Sequence, residues 1–168
     1  MPKIILNIQS NEDLVAKDEN IACYIVADTL SEPKIKEVIA IGKMVLSSGK
    51  KALDACRQYN LDGVIKQIDP TKPLKIQVKS LRENLKHKTL GIIIPTRRHE
   101  AMLAGEVEPD FIAFSSCETE RDTEVINWYN ELFLIPCAAL IASTMNLSEA
   151  FDVDFVIINA KNFENFGC

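Results

Sequence analysis

Eight short runs of near-continuous Val, Ile, Leu and Phe recur along this chain. They are KIILNI (3–8), ACYIVAD (22–28), MVLSS (44–48), DGVIKQ (62–67), LGIIIP (90–95), DFIAFSS (110–116), PCAALIA (136–142) and DFVIINA (154–160). A strand with one wet face alternates apolar and polar residues. A continuously apolar strand is buried on both faces, as in a parallel sheet covered by helices. Between the runs lie segments of helical character. Residues 33–43 set Ile35, Val38, Ile39 and Ile41 among lysines, with Ser31 and Pro33 as start signals. Residues 97–105 end in Gly105, a natural stop. Residues 119–133 carry an apolar stripe that includes Val125, Ile126, Trp128 and Tyr129. Residues 8–21 have a weak helical pattern, and Asn146 or Ser148 is placed to cap a short turn over 147–151.

Alternating β and α segments give an α/β fold with a parallel sheet. Eight strands predict a closed (β/α)8 TIM barrel, with an open doubly wound sheet as the runner-up. Such barrels usually take about 250 residues. The 168 residues here leave 21 per unit, so the barrel must be compact, with shortened or missing helices. Residues 1–168 are expected to form a single domain.

Charge is unevenly placed. Residues 66–99 hold nine Lys and Arg against two acids, whereas residues 100–168 hold two against thirteen. The net charge is −5, and no basic stretch is interleaved with aromatics, so nucleic acid is not an expected partner. The basic stretch reads as a solvated helix face or a site for an anion. No apolar run reaches the roughly 18–20 residues of a membrane span, and the first residues lack a signal-peptide pattern. Five Cys occur without metal-ligand or CxxC spacing, which fits a reduced, cytoplasmic location.

The sequence contains no GxGxxG, GxxxxGK[ST] or GxSxG motif. In a (β/α)8 barrel, function collects at the C-terminal ends of the strands. Those ends supply Asp28 after strand two, Ser47 and Ser48 after three, and Gln67 and Asp69 after four. Thr96, Arg97 and Arg98 follow strand five, Ser115 strand six, Ser143 and Thr144 strand seven, and Asn159 and Lys161 strand eight. These residues are the candidates for binding a substrate. Thr96 with Arg97 and Arg98 would suit an anion, with Lys161 joining from strand eight.

Four segments carry a family resemblance. RHEAMLAGEVEPDFIAF (98–114), LDGVIKQID (61–69), LFLIPCAALIASTMN (132–146) and DFVIINA (154–160) occur in the order found in thiamine phosphate synthase-like barrels. The chain resembles this superfamily of thiamine-phosphate pyrophosphorylases and thiazole tautomerases as a divergent member. The resemblance implies a (β/α)8 barrel. It also implies a reaction that joins hydroxymethylpyrimidine diphosphate to thiazole phosphate and releases pyrophosphate with help from Mg²⁺.

The same resemblance marks departures. The family's strand-three acid is replaced by Ser47-Ser48-Gly49, so only Asp69 remains as a metal candidate. The strand-two cations are absent from YIVADTL, and Asp28 stands there instead. The glycine pair after strand seven reads Ile141-Ala142, and the tautomerase His after strand five falls in the region of Pro95. Each charge-assisted phosphate contact is worth about 1.5–3 kcal/mol, so these losses together predict a degenerate active site. Three readings stay open: an enzyme with altered or weak activity, a non-catalytic binder of a phosphorylated or thiamine-related metabolite, and a structural, partner-binding homodimer. Short helices leave apolar strand surface that needs cover, which favours the homodimer.

Overall fold

The eight apolar runs form eight parallel strands. They are β1 (Lys3–Ile8), β2 (Ile21–Ala27), β3 (Met44–Ser48), β4 (Gly63–Gln67), β5 (Thr89–Ile94), β6 (Phe111–Phe114), β7 (Cys137–Ile141) and β8 (Phe155–Asn159). They pair in chain order, and β8 pairs back onto β1, which closes the barrel. The structure is a computed structural model and describes residues 2–141 and 153–165. The ring of strands is complete, so the closed barrel stands and the open sheet does not.

Five α-helices lie among the described residues: α1 (Glu32–Ile39), α2 (Ala52–Tyr59), α3 (Leu74–Leu85), α4 (Arg98–Val107) and α5 (Glu120–Leu132). A 3₁₀ segment, Ala160–Asn165, follows β8 in place of a longer helix. Local chemistry explains their starts. Ser31 caps α1, its hydroxyl accepting from Lys34 N, with a proline in the first turn. Thr119 and Asp122 form a reciprocal capping box on α5.

Two local expectations are corrected. No helix forms over 9–20, because Asp13 accepts from the N–H groups of Gln9 and Ser10 at 3.0 and 3.1 Å, an alternative to helical bonding. That segment is then pinned to the barrel by Tyr24 Oη donating to Ala16 O at 2.6 Å and Lys43 Nζ donating to Asp18 O at 2.7 Å. Gly105 does not stop α4. It is buried inside the helix, where a Cβ would meet the Phe133 ring at 2.3 Å, and the stop is Glu108 with φ 51°. The turn expected over 147–151 falls outside the described residues.

Side chains alternate across each strand. Ile5, Ile25, Leu46, Ile65, Phe111, Ala113 and Ile157 pack together inside the barrel. Their neighbours Leu6, Val26, Val45, Val64, Ile112 and Ile158 pack with Ile35, Val78, Ala101 and Ile126 of the helices. Full burial of one such side chain contributes about 1.5–3 kcal/mol. The Phe111 ring fills the interior because β5 carries Gly91 beside it, where a Cβ would lie 2.2 Å from the ring.

At the opposite end from the mouth, one device repeats. Asp62, Asp110 and Asp154 each precede an even-numbered strand. Their carboxylates accept from Val45 N at 2.8 Å, Leu90 N at 2.7 Å and Cys137 N at 3.1 Å. Each aspartate's own N–H donates back to the carbonyl of that same residue, so the two backbones are tied twice.

Candidate functional site at the barrel mouth

Strand parity determines which strand-end residues reach the mouth. Two residues beyond the interior positions Ile5, Leu46, Ile65, Ala113 and Ile157 stand Asn7, Ser48, Gln67, Ser115 and Asn159. All five are polar. Asn7, Ser48, Gln67 and Ser115, with Gln9, Lys50 and Lys66, line a cavity of about 500 Å³. Its floor is apolar and includes Ile25, Ile65, Ile93, Leu140 and Ile157. Asn7 Nδ2 donates to Asn159 Oδ1 at 3.0 Å, while the buried Asn7 Oδ1 has no hydrogen-bond partner. Lys66 curls over the rim and donates to Gly49 O at 2.8 Å.

Several expected residues are used elsewhere. Ser47 is one position out of register, so it faces α2 rather than the cavity. It is fully buried, and its hydroxyl donates to Ala52 O at 2.6 Å. Asp28 accepts from Lys51 N at 2.6 Å and so holds the turn that leads into α2. Gly49 makes this possible: it has φ 102°, and a Cβ there would strike the Asp28 carboxylate. Thr96 bridges to the next loop, donating to Ser116 O at 2.5 Å and accepting from Ser116 N at 3.0 Å. Arg97 pairs with Glu100 at 3.7 Å, and Arg98 lies 5.5 Å from the Trp128 ring centre. Neither arginine lines the mouth cavity, so the expected Arg97–Arg98 anion site is not assembled there. Lys161 lines a separate hollow beside Glu12, Asp13 and Glu37. Ser143 and Thr144 lie outside the described residues.

Asp69 is held in a turn. Its Oδ1 accepts from the Thr71 hydroxyl at 2.6 Å and from Thr71 N at 2.9 Å. These two donors hold its carboxyl below the usual carboxylate range, the hydroxyl contributing most. A hard dication needs several oxygen ligands, carboxylates above all. Here Asp28 and Asp69 are engaged by the backbone, and the rim carries lysines. Among the described residues no three His, Cys, Asp or Glu come together. These residues do not fit a Mg²⁺ ion at the mouth.

Asn7, Gln9, Lys50 and Lys66 are mouth residues that strand-end reading from strand two onward misses. Asn7 carried a usable signal: it is the one polar residue near the end of KIILNI, in parity with Ile5. Lys66 carried none, because its parity points outward and only its length brings Nζ back to the rim.

No protein-family model matches the chain. Similarity to curated proteins is partial. The chain is 32% identical over 59 residues to a thiamine-phosphate synthase of Rhodospirillum centenum, covering 30% of this chain and 28% of that protein. It is 30% identical over 95 residues to a thiamine-phosphate synthase of Erythrobacter litoralis, covering 50% of this chain and 42% of that one. The matched region thus spans less than half the length of either relative. Among solved structures, orotidine 5'-monophosphate decarboxylase from Methanocaldococcus jannaschii superposes with TM-score 0.64 at 17% identity, covering 95% of this chain and 89% of that one. A tryptophan synthase alpha-subunit from Pyrococcus furiosus gives TM-score 0.66 at 9% identity, covering 94% and 87%. At those identities the two structures show the fold alone. No helix among the described residues is long and apolar enough to cross a membrane. The chain is a closed eight-stranded (β/α)8 barrel with partial similarity in sequence to thiamine-phosphate synthases.

Proposed function

We propose that the barrel mouth binds a small phosphorylated metabolite and does not join it to a second substrate. One observation carries the reading: the mouth cavity is lined by Lys50 and Lys66 and by no carboxylate among the described residues. A phosphate held by one lysine gains about 1.5–3 kcal/mol from a charge-assisted hydrogen bond. The isoleucine and leucine floor suits a flat apolar ring attached to that phosphate. The similarity to thiamine-phosphate synthases makes thiazole phosphate and thiamine phosphate the first ligands to try. Missing acids and cations at the ends of strands two and three argue against turnover. Retained synthase chemistry is the second reading, favoured by that same partial similarity. We read residues 1–168 as one domain of a reducing cytoplasm, in line with the buried thiols of Cys23, Cys56 and Cys117.

Calorimetry and thermal shift with thiazole phosphate, thiamine phosphate and pyrophosphate, each with and without Mg²⁺, test the proposal. At least one ligand should bind without needing Mg²⁺, and Lys66→Ala should weaken it about tenfold. Failure of every ligand to bind would sink the idea. Pyrophosphate release from the two synthase substrates at about 1 per second would replace it with the second reading.

A further inference from the structure

Outside the mouth, the face built by α3, α4 and α5 carries groups that no intrachain contact uses. α4 lies between the other two, touching α3 on one side and α5 on the other. The α3 stripe Lys75, Lys79, Arg82 and Lys86 borders a groove of about 1000 Å³ between α3 and α4, whose apolar lining includes Val78 and Leu103. On α5 the exposed stripe is Glu120, Glu124, Asn127 and Glu131. Among the described residues, Lys75, Lys79, Lys86, Glu120, Glu124 and Glu131 form no ion pair. Large apolar side chains stand in water on the same face: Leu132 is 58% exposed, Ile76 65%, and Leu134 fully.

The two stripes have matched spacing. Residues 75, 79, 82 and 86 are separated by four, three and four positions, and so are 120, 124, 127 and 131. Each spacing keeps its residues on one helical face. We propose that this face is the interface of a homodimer whose two-fold axis runs alongside α4, parallel to the barrel axis. Such an axis lays α3 of one copy beside α5 of the other, running in the same direction, twice. Each basic stripe then faces an acidic stripe. Leu132 and Leu134 at the end of each α5 come beside the end of the partner's α3. A closed two-fold pair needs such a self-complementary face. A stable pair of this kind buries about 1,200–2,000 Å² in total. The arrangement leaves the barrel mouth open, so it is independent of ligand binding there.

Sedimentation velocity on the full chain at low salt tests the geometry with charge exchange. The unaltered chain should be a dimer at micromolar concentration. The pair Lys79→Glu with Lys86→Glu should raise the dissociation constant about 100-fold, because like charges then face each other across the interface. The pair Glu124→Lys with Glu131→Lys should do the same. Combining all four changes in one chain should restore the dimer, which a merely misfolded variant would not do. Circular dichroism checks that each variant keeps its fold. A monomeric unaltered chain, a dimer indifferent to both reversed pairs, or a fourfold variant that stays monomeric would each overturn the proposal.

Discussion

Asn7 and Asn159 join the first strand to the last by a side-chain hydrogen bond of 3.0 Å, directly above their backbone pairing in the β1–β8 register. The bond lies where the interior changes from apolar to polar, on the floor of the mouth. Asn7 is nine-tenths buried, so its amide depends on protein partners. Replacing Asn159 by Leu removes the partner of a buried donor, and the cost should be about 1–3 kcal/mol. Replacing both residues by Leu should cost less than the sum of the two single changes, because no orphaned amide remains. Urea unfolding of the two singles and the double measures the coupling. Strict additivity would show that the pair is not a unit.

The aspartates before β4, β6 and β8 act at the other end of the barrel. Asp110 accepts from Leu90 N and also from Arg82 Nη1 at 3.0 Å. Asp110→Ala should destabilise the protein by about 1–2 kcal/mol, since Leu90 N–H then lacks its acceptor. Asp110→Asn keeps an acceptor oxygen and should lose less. Neither change should affect ligand binding, because this end of a barrel serves stability rather than function. Thermal unfolding, paired with the calorimetry described above, separates the two effects.

The apolar runs alone located all eight strands to within about two residues, because continuous burial leaves its mark on every strand position. The mouth was less legible. Ser47 and Ser48 are the same residue type side by side, yet one faces α2 and the other the cavity, and only the register decides between them. Asp28 and Asp69 are acids at strand ends, as a binding site requires, but each has a closer partner in a turn. Those partners, Lys51 N and Thr71 N, are backbone groups whose positions depend on loop geometry, which residue type does not encode. Helix α2 escaped notice because its buried side is made of Ala52, Ala55 and Cys56, which are too small to give a strong period.

The turn at Asp69 makes a pH-dependent prediction. Its carboxyl titrates below the ordinary value because Thr71 donates to the ionised form, first by its hydroxyl and then by its amide. A carboxyl depressed in the folded state adds stability that is complete above the unfolded value and is lost as pH falls through the folded one. Thr71→Val removes the hydroxyl donor and keeps the amide. The Asp69 carboxyl should then titrate higher, and the stability it loses in acid should be smaller and be lost completely by a higher pH. An NMR titration of the Asp69 side chain checks this, and an unchanged midpoint would count against the stated cause.

Cys23 and Cys117 should be silent to thiol reagents while the barrel is folded. Burial pushes the Cys23 thiol up to about 12, with a further push from the nearby charge of Asp62. Burial likewise raises Cys117 to about 11, helped by Asp122 and Glu118. At pH 8 the thiolate is then about one part in ten thousand for Cys23 and one in a thousand for Cys117, and the thiolate is the reactive form. Both side chains are also shielded, Cys23 inside the barrel and Cys117 with its Sγ donating to Leu140 O at 3.1 Å. Iodoacetamide at pH 8 should leave both unlabelled in the native protein and label both after denaturation, as peptide mapping would detect. Native labelling of Cys23 would be the more damaging result, because the reagent could reach it only through an opened barrel.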